Sequence, residues 1–302
     1  MKLPKPLFED PVYGSPTDPV IVWNHLENMW YLFYTQRRAT EISVGVSWVH
    51  GTKIGVAVSK DGAAWLYRGT LEGLEFEHGT NTFWAPEIIF AEGEFHMFVS
   101  YVQGIPVNWN YGRKMIHYVS DNIWDWTFKG EIDLKSDRVI DACVYKIDAT
   151  TYKMWFKDER DHSHTAVAVS KDLYNWDVLG PEITDMSQEG PNVFMLNGHI
   201  YMVSDYWHGL AVYKSNDFKT WERCSDVLND AGLHVTDAGI GHHADVLEKD
   251  GRAFIVYFTT PDLDAHREGL LNSQLYKAYV QIAELKEKDG YLVCDRNADV
   301  EW

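Results

Sequence analysis

Residues 139–147 read Val-Ile-Asp-Ala-Cys-Val-Tyr-Lys-Ile, an acid set just ahead of a run of β-branched and aromatic residues. A short run of this kind is the mark of a buried strand. The arrangement returns at 16–23 (PTDPVIVW), 84–90 (WAPEIIF), 188–196 (QEGPNVFML) and 241–248 (GHHADVLE), placing Asp18, Glu87, Asp141, Glu189 and His242 ahead of five strands. Their separations, 69, 54, 48 and 53 residues by number, are close to one period. Repetition of a strand-rich unit at such a period is the signature of a propeller, in which the start of each innermost strand faces the central axis. Five residues far apart in sequence are therefore expected to meet in one funnel.

A second repeat runs in phase with the first. A serine is followed six residues later by a tryptophan in Ser59–Trp65, Ser120–Trp126, Ser170–Trp176 and Ser215–Trp221. The serine closes a strand, the Asp-rich stretch turns, and the tryptophan opens the next strand with a large apolar side chain. These rings are expected to pack between blades. Each unit holds four short runs rich in Val, Ile, Tyr, Phe and Trp, divided by turns such as Asn197-Gly198 and Asp250-Gly251. The expected fold is all-β, a five-bladed β-propeller with four antiparallel strands per blade, occupying residues 1–302 as a single domain. The stretch Asp262–Tyr276 is expected to be a rim loop with one or two helical turns.

Composition narrows the function. A net charge of −18 with no basic tract opposes nucleic acid and anionic membranes as partners. No run of about 18 apolar residues is present to span a membrane. The N-terminal MKLPKPLFEDPVYG lacks the apolar core of a signal peptide, so the expected compartment is the cytoplasm, with secretion after removal of a leader as the alternative. Cys143, Cys224 and Cys294 are too few for a disulfide framework, and no C-x-x-C pair exists to hold zinc. Aromatic residues make up 14% of the chain, which suits stacking on sugar rings as well as packing between blades.

Asp18, Asp141 and Glu189 form the candidate catalytic set. Cleavage of a glycosidic bond needs one carboxylic acid to protonate the leaving oxygen and one carboxylate to activate water or attack directly. A third acid nearby raises the pKa of the proton donor by like-charge repulsion. Arg37 follows the second strand of the first unit, where it could reach over the funnel to a sugar hydroxyl or a uronic-acid carboxylate. Tyr206, Trp207 and His208 hold the matching place in the fourth unit as an aromatic platform beside Glu189. Trp84 and Trp109 are further rim candidates for substrate binding, and Glu87 joins them as an acid in phase with the axial set.

On these residues the chain resembles the five-bladed propeller glycosidases of family 43, the arabinanase, arabinofuranosidase and xylosidase group. Asp18-Pro19, Trp84-Ala85-Pro86-Glu87, Ile140-Asp141, Glu189-Gly190-Pro191 and Gly241-His242 match the openings of that family's blades in order. The resemblance implies that Asp18 is the general base, Glu189 the general acid, and Asp141 the group that tunes and orients Glu189. It also implies that His242 faces the axis and holds a metal ion, commonly calcium, although calcium prefers oxygen ligands. The substrate implied is an oligosaccharide or polysaccharide, a pentose-containing or related plant or algal glycan, with an inverting α-L-arabinofuranosidase-like activity as the leading expectation. The departures are Ala142-Cys143, where relatives carry proline, and the expectation that residues 1–302 hold no C-terminal β-sandwich of the kind found in longer xylosidases. A retaining invertase-type furanosidase and a non-catalytic sugar-binding propeller are the alternatives.

Overall fold

The computed structural model describes residues 1–42 and 44–302. Twenty strands form five four-stranded antiparallel sheets, each built from consecutive strands. Blade one holds β1 (Gly14–Asn24), β2 (Met29–Arg38), β3 (Ile54–Ser59) and β4 (Leu66–Thr70). In blade two these are β5 (Thr82–Ala91), β6 (Glu94–Val102), β7 (Lys114–Ser120) and β8 (Thr127–Ile132). Blade three follows with β9 (Val139–Asp148), β10 (Thr151–Asp158), β11 (His164–Ser170) and β12 (Asp177–Ile183). Blade four comprises β13 (Glu189–Leu196), β14 (His199–Asp205), β15 (Leu210–Ser215) and β16 (Trp221–Val227). Blade five ends the series with β17 (His242–Lys249), β18 (Arg252–Thr259), β19 (Tyr279–Lys288) and β20 (Tyr291–Cys294). The first strand of every blade touches that of the next, and β17 returns to β1, so the sheets close into a ring: a five-bladed propeller. The N-terminal segment helps close it, with Leu7 N–H donating to the Val280 carbonyl and Leu3 N–H to that of Val300.

The serine–tryptophan repeat proves to be one turn used four times. In Ser170–Trp176 the Ser170 hydroxyl accepts from Leu173 N–H at 2.8 Å, while Asp172 Oδ1 accepts from Tyr174 and Asn175 N–H. The tryptophan that follows packs onto the preceding blade. Trp126 lies in a cluster with Tyr31 and Phe33 of blade one, Trp176 meets Phe98 of blade two edge-on at 5.8 Å, and Trp221 meets Trp155 of blade three at 6.1 Å. Trp65 packs with Phe254 of blade five. Truncating a buried ring of this size costs about 3–5 kcal/mol.

What positions the site is a β-bulge at the same place in every innermost strand. Pairing with the second strand breaks between Thr17 and Val20, Trp84 and Glu87, Ile140 and Cys143, Glu189 and Asn192, and His242 and Asp245. A bulge bends the strand and re-aims side chains, and it is common beside active sites. Aligned on it, the five residues singled out in the sequence are not equivalent. Asp18 and Asp141 sit on the bulge with Ala85, Gly190 and His243. Glu189 and His242 stand one residue before it, level with Thr17, Trp84 and Ile140. Glu87 stands two residues after the bulge position, level with Val20, Cys143, Asn192 and Asp245.

That last layer staples the blades together. Glu87 Oε1 accepts from Val144 N–H at 2.7 Å, Cys143 Sγ from Val193 N–H at 3.2 Å, Asn192 Oδ1 from Val246 N–H at 3.1 Å, and Asp245 Oδ2 from Ile21 N–H at 3.1 Å. Each bond joins one innermost strand to the next. Glu87 is thus an inter-blade clasp lining a separate axial cavity of about 190 Å³, rather than a substrate-binding group. Burial, with the charge of Asp245 adding to it, pushes the Glu87 carboxyl up to about 8. A carboxyl that keeps its proton when folded but loses it near its ordinary value when unfolded destabilises the fold as pH rises between those values. Glu87→Gln keeps the acceptor and removes that cost. It is expected to raise stability by about 2–3 kcal/mol at pH 8 and by little at pH 4.5. Thermal melts across pH check this; an equal effect at both ends would contradict it.

Candidate active site

On the ring axis the bulges open into a cavity of about 470 Å³. Its wall includes Asp18, Asp141, Glu189, His242, Arg37, Trp84, Trp109 and Trp207, all singled out from sequence, together with Arg113, Arg138, Lys157, Glu159, Asp205, His243 and Asp264. Asp18 and Asp141 both carry left-handed backbone, with φ of 51° and 60°. For residues with a Cβ this conformation costs about 1–2 kcal/mol each. The kink turns both carboxylates toward the axis. Side-chain and main-chain bonds from neighbouring blades hold it: Asp141 N–H donates to Ser100 Oγ at 2.9 Å, and Gly190 N–H lies 3.3 Å from Asp141 Oδ2.

His243 is the hub of the set. Its Nδ1 lies 3.6 Å from Asp18 Oδ1 and 3.9 Å from Asp141 Oδ2, and its main-chain N–H donates to Asp205 Oδ2. Burial favours the neutral ring, but Asp141, Asp18 and Glu189 together outweigh it and hold the pKa above the usual value. Gly190, at φ 54°, faces this ring so closely that a Cβ would come within 2.7 Å of it, which explains the glycine.

Glu189 has both oxygens engaged. Lys157 Nζ donates to Oε2 at 2.8 Å and Trp207 Nε1 to Oε1 at 3.1 Å. The Lys157 ammonium also sits 5.1 Å from the Trp207 ring centroid. Burial works to raise the Glu189 pKa, yet the positive charge of Lys157, with His243 and Arg37 behind it, leaves it below the ordinary carboxylate value. Asp141 goes the other way. Burial, joined by the charges of Glu189 and Asp18 and partly offset by His243 and Lys157, pushes it up to about 7. Asp141 is therefore the acid drawn to keep a proton, whereas the ammonium of Lys157 draws Glu189 to its ionised form, against the expectation that Asp141 raises Glu189.

His242 lines the cavity, but both of its ring nitrogens are engaged. Its Nδ1 lies 3.2 Å from Asp205 Oδ2 and its Nε2 3.3 Å from Asp264 Oδ1. Burial opposes charging, but the two carboxylates raise the ring to about 10, so it is a cation pinning the short helix α1 (Pro261–Asp264) at the cavity wall. With both nitrogens engaged and a positive charge, His242 does not fit the metal ligand that the resemblance implied. His243, turned to two carboxylates and itself drawn to the protonated form, offers no better site for calcium. Among the described residues no group of three or more His, Cys, Asp or Glu side chains is placed to hold a metal ion.

The remaining candidates divide. Arg37 Nη2 lies 3.6 Å from Asp18 Oδ2, with its guanidinium 5.5 Å from the Phe258 ring centroid, so it reaches the cavity. Trp84 and Trp109 flank Arg113, whose guanidinium lies 5.8 Å and 6.0 Å from the two ring centroids. Trp109 is half exposed and available to a ligand. His208 is solvent-exposed, stacked beside Tyr206, and does not line the cavity; the platform beside Glu189 is Trp207 alone.

The fold has close company. A thermostable family-43 glycoside hydrolase superposes with a TM-score of 0.67 at 19% identity over 95% of each chain. A β-xylosidase/α-arabinofuranosidase from a compost microbial metagenome, solved with xylotriose in a calcium-free form, gives 0.71 at 13% identity over 97% of this chain and 98% of that one. An exo-1,5-α-L-arabinanase from a bovine ruminal metagenomic library gives 0.65 at 15% identity over 95% and 99%. No protein-family model matches the chain, and no curated protein is significantly similar to it in sequence. At these identities the likeness is one of fold: this is a family-43-like five-bladed propeller.

Proposed function

We propose that the chain is a glycoside hydrolase acting by inversion on an oligosaccharide or polysaccharide. The observation that carries this is that Asp18, Asp141 and Glu189 meet on the wall of one cavity that tryptophans also line, with His243 beside both aspartates and burial raising the Asp141 carboxyl. Inverting hydrolysis needs a carboxylate that draws a proton from water on one side of the sugar and a carboxylic acid that protonates the leaving oxygen on the other. Asp18, beside the Arg37 guanidinium, is assigned the base. Glu189, steadied by Lys157 and Trp207, is assigned the acid. Asp141 and Glu189 behave as a coupled pair holding one proton between them. Burial raises Asp141 while Lys157 lowers Glu189, so for the proton to lie on Glu189 when the bond breaks, substrate entry has to weaken the hold of Lys157 on Glu189. As water attacks the anomeric carbon, Asp18 takes its proton, the glycosidic C–O bond breaks, and the Glu189 proton passes to the leaving oxygen.

An α-L-arabinofuranoside is the leading substrate, supported by the arabinofuranosidase and arabinanase among the structural neighbours. Activity on chromogenic arabinofuranosides, xylosides and galactosides tests the proposal, with Asp18→Asn as control. Wild type is expected to release the chromophore from at least one, and Asp18→Asn to lose about 10²–10⁴-fold of that rate. Tight binding of the glycosides without release by wild type would instead support a sugar-binding propeller.

A further inference from the structure

We propose that the cavity wall formed by blades two and three reads an anionic group, a carboxylate or a sulfate, carried by the glycan. This inference rests on the glycosidase proposal for the location of the sugar. Three cations stand on that wall, Arg113, Arg138 and Lys157, with the carboxylates of Asp141 and Glu159, and Glu189 joins them from blade four. Asp141 faces His243, and the other two are taken. Glu159 Oε2 accepts from Arg113 at 2.5 Å, with Oε1 lying 3.5 Å from Lys157, and Glu189 is bonded to Lys157. Asp137, next in sequence to Arg138, is held instead by Arg160 through two bonds of 2.6 and 2.8 Å.

Arg138 is left over. Among the described residues no carboxylate forms an ion pair with it, and its half-buried side chain lines the cavity. The Nε atoms of Arg138 and of the buried Arg113 are both shielded from water without a hydrogen-bond partner. Hydrogen bonds across Arg113 N–H to the Asp137 carbonyl and Val139 N–H to the Arg113 carbonyl run the two segments side by side, so both guanidinium groups belong to one corner. A guanidinium removed from bulk water and lacking a counter-charge favours a planar or tetrahedral oxyanion, to which its forked donors are matched. Across the whole cavity Asp18, Asp141, Glu159, Glu189, Asp205 and Asp264 face Arg37, Arg113, Arg138, Lys157, His242 and His243, so the unpaired charge is local to Arg138. A neutral pentose has no group to use that guanidinium; a uronic acid or a sulfated sugar does.

Isothermal titration of the full chain with glucuronic acid, galacturonic acid and galactose 6-sulfate, against glucose and galactose, tests this directly. Wild type is expected to bind at least one charged sugar about tenfold or more tightly than its neutral counterpart. That gap should shrink to about twofold or less in Arg138→Leu and be partly kept in Arg138→Lys, which retains the charge without the fork. It should also narrow as salt is raised. Preference for the uronic acids assigns a carboxylate, and preference for the ester assigns a sulfate. Equal binding of charged and neutral sugars, no binding of any charged sugar, or an unchanged gap in a folded Arg138→Leu protein overturns the inference. Binding is read without turnover, so a charged preference in a protein that hydrolyses nothing keeps this inference and removes the hydrolase. Hydrolysis with no charged preference does the reverse.

Discussion

Glu189→Gln is expected to lower kcat/KM on glycosides with poor leaving groups by about 10²–10⁴-fold while costing activated aryl glycosides far less. The difference comes from where the proton is needed. An alkoxide leaving group cannot depart without a donor, whereas an activated phenolate is stable enough to leave unprotonated. Glutamine keeps the carbonyl oxygen that can accept from Lys157 or Trp207, so the geometry built by those two bonds is largely preserved. Asp18→Asn should fail on both substrate classes, because activation of water does not depend on the leaving group. Measuring both variants on a series of aryl glycosides of graded phenol acidity checks the assignment. Equal losses across the series in Glu189→Gln would remove it from the role of acid.

The second large effect is a shift of the pH–rate profile. In wild type the Asp141–Glu189 pair keeps one proton up to about pH 7 because burial and mutual repulsion favour the singly protonated state. Asp141→Asn removes both the resting place of that proton and the negative charge that discourages ionisation of Glu189. Left with the Lys157 ammonium beside it, Glu189 gives up its proton at lower pH. The basic limb of kcat/KM should therefore move toward acid by about one to three pH units. Lys157→Met should move the same limb the opposite way, since it takes away the charge that holds Glu189 ionised. Full pH profiles of the three proteins decide the matter. An unmoved basic limb in Asp141→Asn would show that Asp141 neither stores the proton nor tunes its neighbour.

The architecture was legible because two repeats carried it. The serine and Asp/Asn of each turn satisfy main-chain donors, and the tryptophan fills the gap to the blade before it, so local chemistry and packing demand the same spacing. Asp18, Asp141 and Glu189 were legible as a set for the same reason. The register at the axis was less so. Strand alternation assumes an even pleat, and a bulge in every innermost strand breaks it. Hence His243, not His242, occupies the place equivalent to Asp18 and Asp141, and Glu87 falls into the layer that staples the blades. A signal for this was present: aligning Pro19, Pro86 and Pro191 with Ala142 and Ala244 places Asp18, Ala85, Asp141, Gly190 and His243 in one column. Lys157, Arg113 and Arg138 had no such marker. Their importance comes from burial and from which carboxylates they meet across blades, and sequence spacing encodes neither.

The central claim is that water activated by Asp18 attacks the anomeric carbon from the face opposite a leaving oxygen protonated by Glu189. Proton NMR of the first-formed sugar, recorded before mutarotation, tests it most directly on whichever glycoside the chain hydrolyses. Inversion of the anomeric configuration is the predicted result, with the two carboxyl groups about 6.5–9.5 Å apart across the bound sugar. Retention of configuration, together with a glycosyl adduct on Asp18, would contradict it.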